Sequence, residues 1–212
     1  MKHAVIIAHP ESKSFNLHVA ETYCEAVRSR GHEVILRDLY RLQFDPLLKA
    51  GELPRPGRAK ADADVVAERQ VIADADVFVF IYPLWFNAPP AMIKGYMDRV
   101  FGMGFGFGPI HHGGNEPLLT GKSLLSFTTS GAPTEWLRQE GGLGALRNLY
   151  DEHFAAVCGL RLLDHIHLGG IVPNMAPCAF DRVIAEVPKV VERLFQERSA
   201  VAQRPAFLRV TS

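Results

Sequence analysis

Three short segments carry the side chains whose types and spacing could do chemistry. In AHPESKSFN (residues 8–16), His9, Ser12, Ser14 and Asn16 cluster where a helical pattern begins. Hydroxyls and helix-start amides that converge on one point favour an anion such as a phosphate. The plainer alternatives are an N-cap for Ser14 and a structural role for His9. In YPLWFNAPP (82–90), Trp85 and Phe86 occupy a strand-to-helix corner, a place where Gly, Asn, Asp and Ser ordinarily dominate. In FTTSG (127–131), Thr128, Thr129, Ser130 and Gly131 offer hydroxyls and backbone amides at the end of another strand. A planar, electron-poor tricyclic ring requires an apolar wall and donors around its polar edge, and the second and third segments supply those two things. Read singly, Trp85 is as readily a core aromatic that caps the sheet. No GxGxxG and no GxxxxGK[ST] is present, which excludes the standard dinucleotide loop and the P-loop nucleotide triphosphatases. His165 and His167 share one face of a strand, but no third ligand at metal spacing accompanies them and HExxH is absent, so no metal site is expected.

The elements that must position these segments alternate in type. AVIIA (4–8), VFVFIY (77–82) and SLLSF (123–127) are short apolar runs, the pattern of strands buried on both faces. EVILRDL (33–39) and LRLLDHIHLGG (160–170) read as two further strands nearer the sheet edges. An apolar stripe of Leu17, Ala20, Cys24 and Val27 predicts a helix that ends at Gly31. Ile93, Tyr96, Met97, Val100 and Phe101 predict another, with Lys94 and Asp98 paired on its wet side. Val183 to Phe195 repeats the pattern, with Pro188 expected to kink or restart the helix. The expected fold is therefore a doubly wound α/β domain, a five-stranded parallel sheet of order 2-1-3-4-5 with helices on both faces. Ligands of such sheets sit outside the carboxyl ends of the strands, where the strand order reverses, and all three chemical segments fall there. One domain over 1–198, a tail over 199–212 and a surface insertion over 40–62 complete the expectation.

Composition narrows the partners. The chain has 212 residues, and 23 Lys plus Arg balance 23 Asp plus Glu, which leaves no basic field for nucleic acid or anionic lipid. No apolar run is long enough to span a bilayer or to serve as a signal-peptide core, so a cytoplasmic protein with no integral membrane segment is expected. Cys24, Cys158 and Cys178 are odd in number and far apart, and they are expected to be buried thiols rather than a disulfide framework. Met92, Met103, Phe105 and Phe107 exceed what one core needs, which predicts a homodimer.

Taken together, AHPESKSFN, YPLWFNAPPAMIKGYMDRVF and SFTTSG resemble the NAD(P)H:quinone oxidoreductase (DT-diaphorase-like) family of flavodoxin-like folds, over about residues 3–196. The resemblance implies a homodimeric enzyme with a flavin at each interface site, FAD before FMN, NAD(P)H as co-substrate, and ping-pong two-electron reduction of quinones or related acceptors. It implies that His9, Ser14, Phe15 and Asn16 meet the flavin phosphates and ribityl chain, and that Pro83, Leu84, Trp85 and Phe86 line the ring. Thr128, Thr129, Ser130 and Gly131 would follow the pyrimidine edge, and Asp98 would reach the adenine of the neighbouring subunit.

The chain also departs from that pattern. Trp85, Phe86 and Asn87 stand where animal members have Gln-Trp-Phe, so the ring wall is rebuilt. Trp136 and about Gly142 stand where those members carry a Tyr and a His that assist hydride transfer, so that relay is missing. Backbone amides of Thr129, Ser130 and Gly131 are then the expected catalytic stabilisers of negative charge, and a nearly flat pH dependence of flavin reduction follows. Phe107 is expected to cover the substrate pocket, with His111, His112 and Trp136 as further substrate contacts. Two other classes share this fold. A flavin-bearing ancillary subunit of a bacterial potassium-efflux system would use the 40–62 segment as a docking surface, and a one-electron flavodoxin carrier is disfavoured by the neutral charge.

Overall fold

The computed structural model describes residues 1–53, 61–109 and 116–202. Five strands, β1 (Lys2–Ile7), β2 (Glu33–Asp38), β3 (Val77–Pro83), β4 (Ser123–Thr129) and β5 (Arg161–Leu168), form one sheet of order β2-β1-β3-β4-β5. All four pairings are parallel. Every residue of β3 and β4 is buried, whereas β2 and β5 alternate or sit half-buried at the two edges. The apolar runs therefore mark the centre of the sheet, because a strand covered on both faces turns neither side to solvent and its few polar side chains must find partners inside.

Successive residues of each strand serve opposite layers. Val5, Ile7, Val79, Ile81, Leu125 and Phe127 pack against α1 (Phe15–Arg28) and α8 (Glu186–Ala202). Ile6, Phe78, Phe80, Tyr82 and Leu124 face α2 (Ala63–Ile72), α3 (Ala91–Val100) and α6 (His153–Cys158). On that second face Phe78, Phe80, Tyr96, Phe101 and Phe154 meet mostly edge to face at 5.1 to 6.4 Å. Each buried ring contributes roughly 1.5–3 kcal/mol, enough to hold α3 and α6 in fixed register against the strands. The remaining helices are α4 (Thr134–Gln139), α5 (Gly142–Arg147) and α7 (Pro177–Ile184), and a π-helical turn at Asn148–Glu152 joins α5 to α6.

Three expectations are corrected, and the expected restart of the last helical pattern near Pro188 is present. The helix α2 has no counterpart in the sequence reading, because its buried stripe is Val65, Glu68 and Ile72 and a carboxylate occupies the centre. Glu68 is tolerated there because Arg37 and Tyr96 hold it, the latter through its hydroxyl at 2.7 Å. The final helical pattern breaks at Ala185, three residues before Pro188. Pro188 then lies in the first turn of α8, where a missing N–H leaves no intrahelical bond unmade. The described part of the 40–62 segment is not a loose insertion. It straps across α3: Phe44 meets the Tyr96 ring at 5.2 Å, and the buried Arg99 gathers the Asp45 carbonyl, Glu52 and Asp64. Cys24 and Cys158 are buried free thiols, pushed up by that burial to about 11 and about 12, but Cys178 is exposed. No helix among the described residues is long and apolar enough to cross a membrane.

Candidate active site

A cleft of about 630 Å³ opens at the carboxyl ends of β1, β3 and β4. Its walls come from the β1–α1 loop, the corner after β3, the turn after β4 and the segment Ile171–Met175, with Phe180 of α7 closing one side. The strand order reverses between β1 and β3, so their loops diverge and leave room between them.

Ser14 is the N-cap of α1, and its Oγ accepts the Leu17 N–H at 3.2 Å. That contact uses a lone pair and leaves the hydroxyl proton for a ligand. The first turn of α1 has no acidic residue, and Lys13 lines the same wall, so the positive end of the helix faces the cleft with little to offset it besides Glu11. Arg41 donates to the carbonyls of His9 and Pro10 at 2.7 to 3.1 Å and fixes this loop. His9 Nδ1 accepts the Glu11 amide at 3.1 Å, and its ring lies 6.4 Å from that of Trp85. Asn16 serves the frame: its amide donates to Thr129 Oγ1 at 3.0 Å and staples α1 to β4. Phe15 packs edge-on against Phe180 at 5.2 Å.

The corner after β3 is a tight reversal. The Leu84 amide donates to the Thr129 carbonyl at 2.7 Å, and Trp85 and Ala88 exchange backbone hydrogen bonds at 3.1 Å. Phe86 and Asn87 between them have φ of 50° and 53°, the left-handed pair of a type I′ turn. Asn tolerates that region; an aromatic residue does so at a cost of about 1 kcal/mol or more. The Asn87 amide anchors the turn by donating to the Gly142 carbonyl at 2.9 Å. As a result Trp85 is 45% exposed and lines the cleft, which excludes its reading as a core aromatic, while Phe86 at 105% projects from the tip into solvent.

Of the residues expected at this site, His9, Ser14, Phe15, Asn16, Pro83, Leu84, Trp85, Thr129, Ser130 and Gly131 converge on the cleft. Phe86 and Thr128 do not. Thr128 points to the other face of β4 because side chains alternate along a strand. Asp98 lies on the outer side of α3, paired with Lys94 at 2.6 Å, and with Phe107 it lines separate hollows. Trp136 stands half-exposed on α4, away from the cleft lining. His111 and His112 lie outside the described residues. Met92 and Phe105 pack on the core of the single chain, so less apolar surface is left over than their number suggests. The amide of Ser130 already donates to the Leu168 carbonyl at 3.2 Å, so it is not one of the free donors the sequence suggests.

Thr128 contacts His165 and His167, whose types and spacing suggest only metal ligands in the sequence. Among the described residues no group of side chains could hold a metal. Burial, and then the neighbouring His165, pulls the His167 imidazole down to about 4. The signal for a polar role was the i, i+2 spacing of two histidines on an edge strand; their partner Asp151, on the π-helical turn, had none. The donor set of the cleft fits a phosphorylated aromatic cofactor: a cationic helix start, a half-exposed indole wall, apolar Phe15 and Leu84, and hydroxyls along one edge.

Residues 1–189 match a family model described as the flavodoxin-like fold. An uncharacterized NAD(P)H oxidoreductase of Haemophilus influenzae is 31% identical over 81% of this chain and 85% of its own length. NAD(P)H dehydrogenase [quinone] 1 of Cavia porcellus is 32% identical over 91% of this chain and 77% of its own. Among solved structures, the NAD(P)H:quinone oxidoreductase of Methanothermobacter marburgensis superposes with a TM-score of 0.80 at 25% identity, covering 92% of this chain and 97% of that one.

Proposed function

The chain belongs to the flavodoxin-like fold family, and from that premise we propose that it is a flavin-dependent NAD(P)H oxidoreductase that passes two electrons to a quinone or a related acceptor. The observation that carries this reading is one cleft in which the half-exposed Trp85 stands opposite a helix start that carries no acidic residue in its first turn. A bound flavin would supply the two-electron chemistry that no side chain can. Ser14 and Lys13 hold its phosphate against the α1 amides. Leu84 and Trp85 form the wall for its ring, and Thr129, Ser130 and Gly131 lie along its polar edge. A single cleft that serves donor and acceptor in turn supports a ping-pong order.

FAD is the expected form, with FMN as the alternative. A dinucleotide would extend past the cleft, and the hollow beside Asp98, Phe107 and Met97 is the surface that a second copy would bring to it. The homodimer belongs to the same reading. Absorption spectroscopy of the purified protein, chromatography of the released flavin and light scattering test it together. A colourless protein that takes up neither flavin at micromolar concentration refutes the function; bound FMN in a monomer removes FAD, the shared site and the role of Asp98 while leaving the flavin-dependent activity. Turnover of NAD(P)H with quinone compared with azo dye then separates acceptors.

A further inference from the structure

On the face of β4 turned away from α1, side chains from three elements form one unbroken line of hydrogen bonds. Asp151, wholly buried in the π-helical turn, accepts from Ser126 Oγ at 2.6 Å and contacts His165 Nδ1 through its other oxygen. His165 Nε2 lies 2.8 Å from Thr128 Oγ1, which lies 2.9 Å from His167 Nδ1. His167 Nε2 is 3.0 Å from Ser130 Oγ, and Ser130 lines the cleft. The register sets Ser126 beside His165 and Thr128 beside His167. The line therefore runs along the strands from the interior to the carboxyl edge.

The protons in this line have one consistent order. The Ala132 carbonyl can only accept, so the Ser130 hydroxyl, 2.8 Å away, donates to it. With its proton so placed, Ser130 Oγ accepts from His167 Nε2–H. The ring of His167 is neutral, since burial disfavours its charged form, and its Nδ1 therefore accepts from Thr128 Oγ1–H. Thr128 must then accept from His165 Nε2–H, and His165 Nδ1 shares the last proton with Asp151. From His165 Nε2 outward every donor of the line points toward the cleft, while Ser126 Oγ–H and the His165 Nδ1 proton are turned to Asp151. Beside the two histidines a hollow of about 240 Å³ lies between Arg138 and Arg147. Each arginine is paired, with Glu135 and Glu152 respectively, so the hollow carries little net charge. Tyr82 also faces the line, and Asp151 affects it electrostatically; Asp164, next to His165 in the chain, accepts the His165 amide at 2.8 Å but turns to the opposite face of β5, where it pairs with Arg193 of α8.

We propose that Asp151, His165, Thr128, His167 and Ser130 form a proton relay that delivers a proton to the cleft and is refilled from water in the hollow between Arg138 and Arg147. The proposal rests on the reading of the cleft as a flavin and substrate site. When a base develops there, the Ser130 hydroxyl turns from Ala132 and gives up its proton. His167 Nε2–H moves to Ser130 Oγ, Thr128 Oγ1–H to His167 Nδ1, and His165 Nε2–H to Thr128 Oγ1. His165 is left neutral with its Nδ1–H on the Asp151 carboxylate. One proton leaves the line, its charge falls by one, and one proton from water restores it as the hydroxyls and the His167 ring return. Ser130 is the group that touches the reacting partner; the histidines and Asp151 act through it.

The test has two arms. In flavin-stripped protein, ¹⁵N spectra of the imidazoles should show one neutral Nε2–H ring that does not titrate between about pH 5 and pH 8, and one ring whose Nδ1 proton is shared with a carboxylate and changes in Asp151→Asn. Two rings that titrate freely near about 6.5 overturn the relay. In flavin-loaded enzyme, His167→Gln keeps both hydrogen bonds in reach but cannot exchange tautomers. It should slow the proton-coupled half-reaction about 10²-fold and change its pH profile, with flavin content and KM for NAD(P)H unaltered. A protein that takes up no flavin overturns the functional reading and with it the purpose of the relay. A flavin-replete His167→Gln enzyme with wild-type rate and pH profile overturns the relay alone.

Discussion

Acidification should weaken the wild-type fold more than it weakens His167→Gln. The fold holds the His167 imidazole down at about 4, chiefly by burial and then by His165, whereas an unfolded chain returns it to about 6.5. Because the folded value is the lower one, the unfolded state binds the extra proton throughout the interval between them. Stability is therefore complete above about 6.5 and is lost as the pH falls toward about 4. Between about pH 7.5 and about pH 5 the full linkage amounts to about 2 kcal/mol. His167 is only partly buried, and solvent screening reduces that to about 1 kcal/mol. For a domain of this size the difference corresponds to about 2–4 °C in Tm. Thermal and urea unfolding of both proteins at the two pH values, at constant ionic strength, measures it, and subtracting one protein from the other removes the titrating groups that do not interact with His167. Parallel losses in the two proteins would show that His167 is not held neutral. A larger loss in the variant would show that the ring is stabilised in its charged form, the reverse of what burial does.

Three further outcomes are expected. Gly95→Ala places a Cβ 2.1 Å from the Pro46 carbonyl oxygen, a backbone atom that cannot swing aside, and should lower stability by about 1–3 kcal/mol in urea titration as the 40–53 strap is pushed off α3. Arg99→Met leaves Glu52 and Asp64 facing each other without their cation; the loss should approach about 3–5 kcal/mol, and adding Glu52→Gln should recover part of it in thermal melts. Trp85→Ala removes the exposed wall of the cleft and should weaken flavin binding about 10-fold, roughly 1.4 kcal/mol, in fluorescence titration while leaving the melting temperature of the flavin-free protein within a degree or two; unchanged affinity would show that the ring lies elsewhere.

Legibility divides along the range of the forces involved. Val77–Pro83 and the Leu124, Leu125 and Phe127 positions of Ser123–Thr129 declare themselves as central strands because burial on both faces favours apolar side chains, and that demand is local. Alternation with α1 and α3 then leaves few arrangements of a parallel sheet, and the order and the cleft at its switch point follow. Ser14 as a cap is legible for the same reason, since its partner is three residues away. Where a buried polar group is compensated from afar, the pattern misleads. Glu68 hides α2 because the cation that permits it is Arg37 of β2, and Arg99 turns an apparent insertion into a strap through Glu52 and Asp64.

The sequence by itself determined the fold class, the loops that meet at the cleft and the aromatic corner, because periodicity, capping and turn chemistry act between neighbours in the chain. Only the tertiary structure decided what each polar side chain does. It set Thr129 toward Asn16 and Thr128 toward two histidines, displayed Phe86 on a left-handed turn instead of the cleft wall, and joined Asp151 to Ser130 through residues of β4 and β5. Hydrogen bonds require a distance near 3 Å and a direction, and both are properties of how strands and helices pack, which no spacing along the chain encodes.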